Sequence, residues 1–407
     1  MLARPAPGST DATLPGATPI ATSSSPDRPV VLHVLPRLDS GGVERSTVDL
    51  ALGLGREGWR AVVCSAGGQM ERRLVGGGVE HVRLPMASKN PLTMAANVLR
   101  LGRLVAELRP SLIHAHSRAP AWSASAAARR AGLPFVTTVH GLHEGAERKM
   151  KRRYNAVMAS GERVIAVSRH VAQTVVDTYA VPQDRLRMVY PGIDLGVFDP
   201  RRVRGDRVAR LADRWGVGMD RKVVMLPARV SKAKGHMLLL RALARLQRPD
   251  VLALLVGPQR DDDGYGEQIA ALLRSTGLGD RVRFGGDCDD MPAAMMLADL
   301  VVLPATAPEA FGLVVAEAQA MGKPVVVTAM GGLPETLMPG ATGWLVKPDD
   351  ADELAWALDL ALKLEPDVKA RLAERAREFV AGEFGIERSR ARTAMVYEEL
   401  LRAPKLA

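Results

Sequence analysis

The feature that most constrains this chain is one alternation, strand-length apolar runs separated by helical stretches, that occurs twice. The first series places runs at residues 30–36, 61–65, 112–115, 135–139 and 164–167. The second places them at 223–227, 252–256, 282–284, 300–303, 325–327 and 344–346. Runs this short, with helical stretches between them, read as strands of parallel sheets buried on both faces. The expected fold class is therefore α/β, with two parallel-sheet domains. A chain of 407 residues that is 47% hydrophobic can fill two such cores. Pro191-Gly192-Ile193-Asp194 is the natural hinge, and a ligand belongs in the cleft between the carboxyl edges of the two sheets.

Within the second series, Glu309 and Glu317 stand eight residues apart, with Phe311-Gly312 between them. The strand at 300–303 precedes them, and Gly312 opens a stretch with apolar periodicity through Met321. Glu309 thus falls in the loop and Glu317 inside the helix. The backbone amides of Phe311, Gly312, Leu313 and Val314 would be unpaired donors at that helix's start, a seat for a diphosphate. At about 1.5 Å of rise per residue, Glu317 lies roughly 7 to 8 Å further along, the distance from a nucleotide's phosphates to its ribose hydroxyls. A carboxylate there accepts two hydrogen bonds from a vicinal diol. The bland alternative is a first-turn acid favoured by the dipole and a solvated helix residue.

Other positions converge on the same cleft. Arg229 ends the strand at 223–227, and Lys234 precedes Gly235, where a helix begins; both suit an anionic leaving group. Lys232 is the weaker candidate, because an arginine can hold phosphate in bidentate fashion. His140 follows the strand at 135–139, at the edge where ligands of α/β sheets bind. Ser40-Gly41-Gly42-Val43-Glu44 lies between the first strand and the first helix, where Gly41 and Gly42 permit close backbone approach. It is not the G-x-G-x-x-G of a dinucleotide site, and Glu44 has an alternative part as a dipole-favoured acid. Gly331-Gly332-Leu333-Pro334-Glu335-Thr336 reads as a second glycine loop entering a helix.

Taken together, residues 308–322, 331–336 and Gly343-Trp344-Leu345-Val346 resemble the C-terminal signature of retaining glycosyltransferases of family 4. Ser40 to Arg45, Thr138-Val139-His140-Gly141, Tyr190-Pro191-Gly192-Ile193-Asp194 and residues 228–235 resemble further landmarks of that family, so the likeness runs from Val30 to about Tyr397. The resemblance implies the GT-B architecture, two Rossmann-like domains facing a cleft. It implies that Glu309 contacts the donor sugar, that Glu317 holds the ribose, and that Arg229 and Lys234 hold the diphosphate without a metal. It places His140 beside the donor sugar, where it positions a hydroxyl or stabilises positive charge through its carbonyl. It lets the Gly41-Gly42 loop close over donor phosphate or acceptor. The expected donor is a UDP- or GDP-linked sugar, and the expected acceptor is a lipid-linked or envelope glycan of the lipopolysaccharide type.

The organisation that follows is a tail at 1–29, an acceptor domain at 30–190, a nucleotide-sugar domain at 191–385, and a last helix at 386–407. By resemblance that helix braces the first domain. The tail is rich in Pro, Ala, Ser and Thr and lacks the plan of a signal peptide, which points to a cytoplasmic protein. Cys64 and Cys288 fit no metal or redox spacing. No run reaches the roughly 18 apolar residues of a membrane span.

Charge is uneven. Residues 30–200 carry 23 Lys plus Arg against 14 Asp plus Glu, whereas residues 201–407 carry 30 against 29. Within the basic half, Arg148-Lys149-Met150-Lys151-Arg152-Arg153-Tyr154 begins a helix on which Met150, Tyr154, Val157 and Met158 can share an apolar face. Such a segment suits peripheral contact with an anionic bilayer at the inner face of the cytoplasmic membrane. The plainer reading is a solvated basic face. Nucleic acid is disfavoured by 4% aromatics and the absence of any binding module.

Asp261-Asp262-Asp263 and Asp287-Cys288-Asp289-Asp290 imitate a metal-binding D-x-D spacing but read better as solvated loops. The base-binding side falls to Arg283, Phe284, Gly285 and Met291. Two rival functions fit parts of this pattern: a nucleotide-sugar epimerase, which needs no acceptor, and a non-catalytic polyanion-binding protein, which predicts salt-sensitive binding.

Overall fold

A computed structural model of the chain describes residues 28–39, 41–141, 149–218, 220–259 and 264–402. Most of the expected tail, Ser40, Arg148 and Asp261 to Asp263 lie outside the described residues. Seven strands form the first sheet: β1 Val30–Val34, β2 Arg60–Ser65, β3 Glu80–Arg83, β4 Leu112–Ala115, β5 Phe135–Val139, β6 Arg163–Ala166 and β7 Leu186–Met188. Six form the second: β8 Lys222–Pro227, β9 Val251–Val256, β10 Val282–Gly286, β11 Leu300–Leu303, β12 Val325–Thr328 and β13 Trp344–Val346. Every pairing is parallel.

The strand orders are β3-β2-β1-β4-β5-β6-β7 and β10-β9-β8-β11-β12-β13. Each order reverses once, between β1 and β4 in the first sheet and between β8 and β11 in the second. The crevices that open there are the ligand sites of doubly wound sheets. Because all six residues of β9 are buried, as are all four of β4, β11 and β12, helices must cover both faces of each sheet. β3 and β7, by contrast, are edge strands with no buried residue. Their mixed polarity, Glu-His-Val-Arg and Leu-Arg-Met, hid them from the apolar-run reading.

The chain crosses between the sheets twice, and the two crossings pair with each other. Ile193 N–H donates to the Phe384 carbonyl at 2.7 Å, and Ile386 N–H donates to the Ile193 carbonyl at 3.0 Å. After the second crossing, the helix Ile386–Arg402 packs beneath the first sheet, where Tyr397 is fully buried with Val31, Leu35, Leu112 and Trp59. Arg390 on this helix donates twice to the carbonyl of Asp49, at 3.0 and 2.8 Å.

The second glycine loop does not enter a helix. Residues Leu333–Thr336 make a single 3-10 turn. Gly331 and Gly332 instead lie backbone to backbone against the loop that carries Glu309, and Gly332 N–H donates to the Glu309 carbonyl at 2.7 Å. Gly331 has φ of 62°, and a Cβ there would stand 2.3 Å from that carbonyl oxygen, so only glycine fits.

Candidate functional site

The helix Leu313–Ala320 starts behind β11 from Gly312, whose φ of 102° is open to glycine and strained for other residues. Its first closed turn is Val315 N–H to the Gly312 carbonyl at 2.9 Å, which leaves the earlier amides of Leu313 and Val314 ahead of the ladder. Gly312, Leu313 and Val314 are partly exposed, whereas Phe311 is buried against Tyr190 and Phe384, with ring centroids 5.5 and 5.1 Å away. Phe311 therefore fixes the loop by packing, and the three residues after it present the helix start to the cleft.

Both glutamates are engaged. Glu309 Oε1 accepts from Lys234 Nζ at 2.6 Å. Lys234 comes from the turn after β8 and Glu309 from the loop after β11, so the pair bridges the point where the strand order reverses. Glu317 is 3% exposed and accepts from Arg45 Nη1 at 2.9 Å. A solvated helix position is thereby excluded for it. Burial pushes the Glu317 carboxyl up to about 7, Arg45 pulls it back down, and Asp49 adds to the rise. Two turns of one helix thus hold amides ahead of the ladder at its start and a carboxylate poised near neutrality further in.

Arg45 belongs to the helix Gly42–Gly53, which the Gly41-Gly42 loop feeds. Gly41 and Gly42 are exposed, and the Glu44 carboxylate curls back over Gly41. Burial raises the Glu44 carboxyl above its ordinary range, and Asp39 adds to the rise. Arg45 also lies over the Phe198 ring at 5.3 Å. Between these groups is a cavity of about 220 Å³ whose lining includes Arg45, Asp49, Arg73, Asp194 and Glu317. Arg73 donates to Asp49 at the cavity wall. Arg45 lies in the landmark that runs from Ser40 to Arg45, but no local pattern marks it as a site residue, because its partner lies in the other domain.

Arg229 is exposed just past β8 and makes no ion pair among the described residues; Lys232 is exposed beside it. Arg229 is therefore a cation open to an anionic ligand, while Lys234 already holds Glu309. On the base side, Phe284 is 46% exposed, and the Gly285 carbonyl accepts from Trp215 Nε1 at 3.0 Å. Arg283 donates to the Val282 carbonyl, and Met291 opens the short helix Met291–Leu297. Asp290 is held by Arg207 at 2.6 Å and caps that helix by accepting from Ala293 N–H, so it is not a loose metal ligand.

His140 lies at the end of β5 and does not stand alone. Its Nε2 is 3.0 Å from His116 Nδ1, and His116 Nε2 is 2.9 Å from His33 Nδ1. Burial lowers the His140 imidazole to about 4. His116 follows β4 and His33 lies in β1, so the group sits at the strand-order reversal of the first sheet. His114 and His116 are not among the candidate residues read from the sequence. The signal that could have found them is their i, i+2 spacing on a strand, which puts both on one face.

The expected amphipathic segment is divided. After the helix Lys149–Asn155, Val157 and Met158 are buried in the core, while Met150 is 81% exposed and Tyr154 stacks on Trp122 at 6.4 Å. Among the described residues of this segment, the cations share their surface with Met150, not with a continuous apolar stripe. Packing of the following 3-10 turn, Ala156–Ala159, under β5 took the rest.

With this geometry in view, the comparisons with known proteins agree on a class. Residues 209–379 match the model of glycosyl transferases group 1, and residues 40–197 match that of glycosyltransferase family 4. The chain is 31% identical over 398 residues to the D-inositol 3-phosphate glycosyltransferase of Xylanimonas cellulosilytica, covering 89% of this chain and 92% of that one. Among solved structures, a glycosyltransferase from Rickettsia africae superposes with a TM-score of 0.84 at 28% identity, covering 93% of this chain and all of the other. Anabaena HepE in complex with UDP-glucose superposes at 0.79 with 25% identity, over 92% and 100% of the two chains. The two facing sheets and the cleft between them are the GT-B architecture, and the chain belongs to the family 4, group 1 glycosyltransferases. It is a glycosyltransferase.

Proposed function

We propose that the enzyme transfers a hexose from a UDP- or GDP-linked donor to an acceptor hydroxyl with retention of anomeric configuration and without a divalent cation. The observation that carries this reading is the Lys234–Glu309 pair at the start of a helix whose buried Glu317 lies about one turn in. Arg229, Lys234 and the amides from Phe311 to Val314 take the diphosphate, and Glu317 takes the ribose diol. Glu309 reaches the donor sugar while keeping Lys234 in place, and His140 meets the sugar from the first domain. The Gly41-Gly42 loop covers the phosphates.

Neither carboxylate is placed as a nucleophile, because Glu309 is paired with Lys234 and Glu317 is buried against Arg45. The reading is therefore a front-face substitution. The bond from the anomeric carbon to the phosphate oxygen breaks, the acceptor oxygen bonds to the same face, and the departing phosphate oxygen takes the acceptor's proton. Growing charge on the diphosphate is met by Arg229, Lys234 and the helix start, which act where charge develops.

For the acceptor, the relatives named for D-inositol 3-phosphate support a small polyol phosphate, and the arginine-lined cavity beside Glu317 supports an anionic one. The lipid-linked envelope glycan is the second reading, favoured by an open groove at Lys149, Arg152 and Arg153 that would rest peripherally on the inner face of the cytoplasmic membrane.

The test is a thermal-shift series with UDP, GDP, ADP and their sugar conjugates, with and without EDTA, followed by NMR of the product's anomeric proton. A donor that stabilises the protein equally in EDTA and yields a retained linkage is expected. An inverted product, turnover without any acceptor, or stabilisation only with a divalent cation would sink the corresponding part. Inositol phosphates and lipid-linked oligosaccharides, offered in parallel, separate the two acceptor readings.

A further inference from the structure

The three histidines that meet end to end form a chain with a direction. His33 in β1 and His114 in β4 are register partners, and His116 is two residues beyond His114, so all three rings lie on one face of the first sheet. His33, His114 and His116 are each at most 3% exposed, and His140 is half-buried. His114 is satisfied by hydroxyls alone, with Nδ1 at 2.6 Å from the Tyr397 hydroxyl and Nε2 at 2.7 Å from Thr138 Oγ1. Among the described residues, the hydrogen bonds of the His33, His116 and His140 rings run only between one another: His33 Nδ1 to His116 Nε2, and His116 Nδ1 to His140 Nε2.

A neutral imidazole has one N–H and one lone pair, so each of these contacts needs one of each. Only two arrangements satisfy both. If protons run outward from His33, each ring donates through Nδ1, and the buried His33 Nε2, which has no partner among the described residues, is a bare lone pair. If they run inward, the same atom is a buried N–H without an acceptor. Orphaned buried N–H groups are the rarer of the two. The outward arrangement puts the proton of His140 on Nδ1 and uses its Nε2 lone pair to accept from His116.

We infer that His116 and His33 are positioning residues that hold His140 as a neutral Nδ1–H donor for a hydroxyl of the donor sugar. The inference rests on the proposed glycosyl transfer and deepens it. A histidine fixed this way cannot accept the acceptor's proton, so proton transfer is left to the departing phosphate. The groups that face His116 and His140 across the adjoining cavity are Ser46 and Asp49 of the helix Gly42–Gly53, Tyr190 of the hinge, and Arg390 of the last helix. Asp49 is already paired with Arg73, and Arg390 donates to the Asp49 carbonyl, so neither supplies the chain with a proton. Burial holds both rings well below the ordinary histidine range.

The experiment uses the full chain labelled with nitrogen-15 in its eight histidines, with two-bond proton–nitrogen correlations reading each tautomer. His140, assigned by loss of its signals in His140→Gln, is expected as Nδ1–H and unchanged across about pH 5.5 to 8, where an ordinary histidine titrates. In His116→Phe the His140 signals should become a mixture of the two tautomers. Its kcat should fall about tenfold or more, and KM for the donor should stay within about threefold. His116→Gln, whose amide offers one donor and one acceptor, should restore a single tautomer and most of kcat.

An Nε2–H tautomer of His140 in the wild type would overturn the inference, and so would an unaltered tautomer in His116→Phe. Stoichiometric zinc in the purified protein, lost in His33→Phe, would overturn it in favour of a metal site. Should His116→Phe not fold, the wild-type spectrum decides. Correct tautomers in a protein that transfers no sugar would sink the proposed function and leave the chain standing.

Discussion

Arg45 and Glu317 are 272 residues apart in sequence and 2.9 Å apart in space, one on the first helix of the first domain and the other inside the glutamate helix of the second. The pair joins the two walls of the cleft at the position proposed for the ribose. Arg45 lowers the pKa of a carboxyl that burial has raised to about 7. Removing it therefore leaves more of Glu317 protonated at neutral pH, and a protonated acid is a poorer acceptor for a diol. Arg45→Ala is expected to weaken binding of the nucleotide diphosphate by about tenfold at pH 7, recovering toward wild type near pH 9. Calorimetric titration at the two pH values reads this, and equal losses at both would refute it.

Glu317 also costs stability. Its folded pKa is raised, so its contribution is fully present below about 4.5 and is lost as pH rises through about 7. Glu317→Gln should unfold at a higher temperature than wild type at pH 8, by an amount on the order of 3 kcal/mol at most, and lose that advantage near pH 4.5. Scanning calorimetry at the two pH values would show it. A variant less stable than wild type at pH 8 would mean that the Arg45 pair outweighs the burial.

Lys234 and Glu309 act as one unit in the site. Lys234→Ala and Glu309→Gln should each lower kcat by about a hundredfold or more, and the double variant should be little worse than either. Additive losses in the double-mutant cycle would show that the two side chains work independently.

At Gly331 the prediction is steric. Gly331→Ala places a Cβ against the Glu309 carbonyl at a positive φ, so the loop must move. A loss of about 2 to 3 kcal/mol in stability should accompany loss of donor binding. Denaturant unfolding and a thermal shift with nucleotide test both halves.

Glu335 fastens the domains. Its carboxylate accepts from the amides of Arg169 and His170 at 2.8 and 2.9 Å, at the start of the helix Arg169–Tyr179 in the other domain. It also accepts from the Tyr190 hydroxyl at 2.9 Å, and burial together with this carboxylate pushes the tyrosine up to about 12. Glu335→Ala should destabilise the protein by about 1 to 2 kcal/mol and enlarge its scattering radius, as the cleft opens. An unchanged radius would show that other contacts set the closure.

The two sheets were legible in the sequence because their central strands are apolar on both faces, as at β9 and β11. β3 and β7 were not, since an edge strand half in water carries no such run. The glutamate helix and its glycine start were readable for a local reason, the order of a strand, a loop and a periodic stretch. Arg45, by contrast, becomes a site residue only when two domains face each other, and no local pattern encodes that. The histidine chain was readable only at His140, since His116 and His33 join it through the pairing of three strands. For the basic segment, periodicity suggested one apolar face where the fold buried half of it.

The paired crossings at Ile193 and Gly385 carry a mechanical consequence. Two bodies tied by one peptide strand can swing and twist freely, whereas two strands bonded side by side behave as a hinge with two pins. Swinging about the line through both preserves the bonds from Ile193 to Phe384 and Ile386; twisting shears them. The cleft is thereby limited to one track of opening, and each closure returns Arg45 to the same register against Glu317.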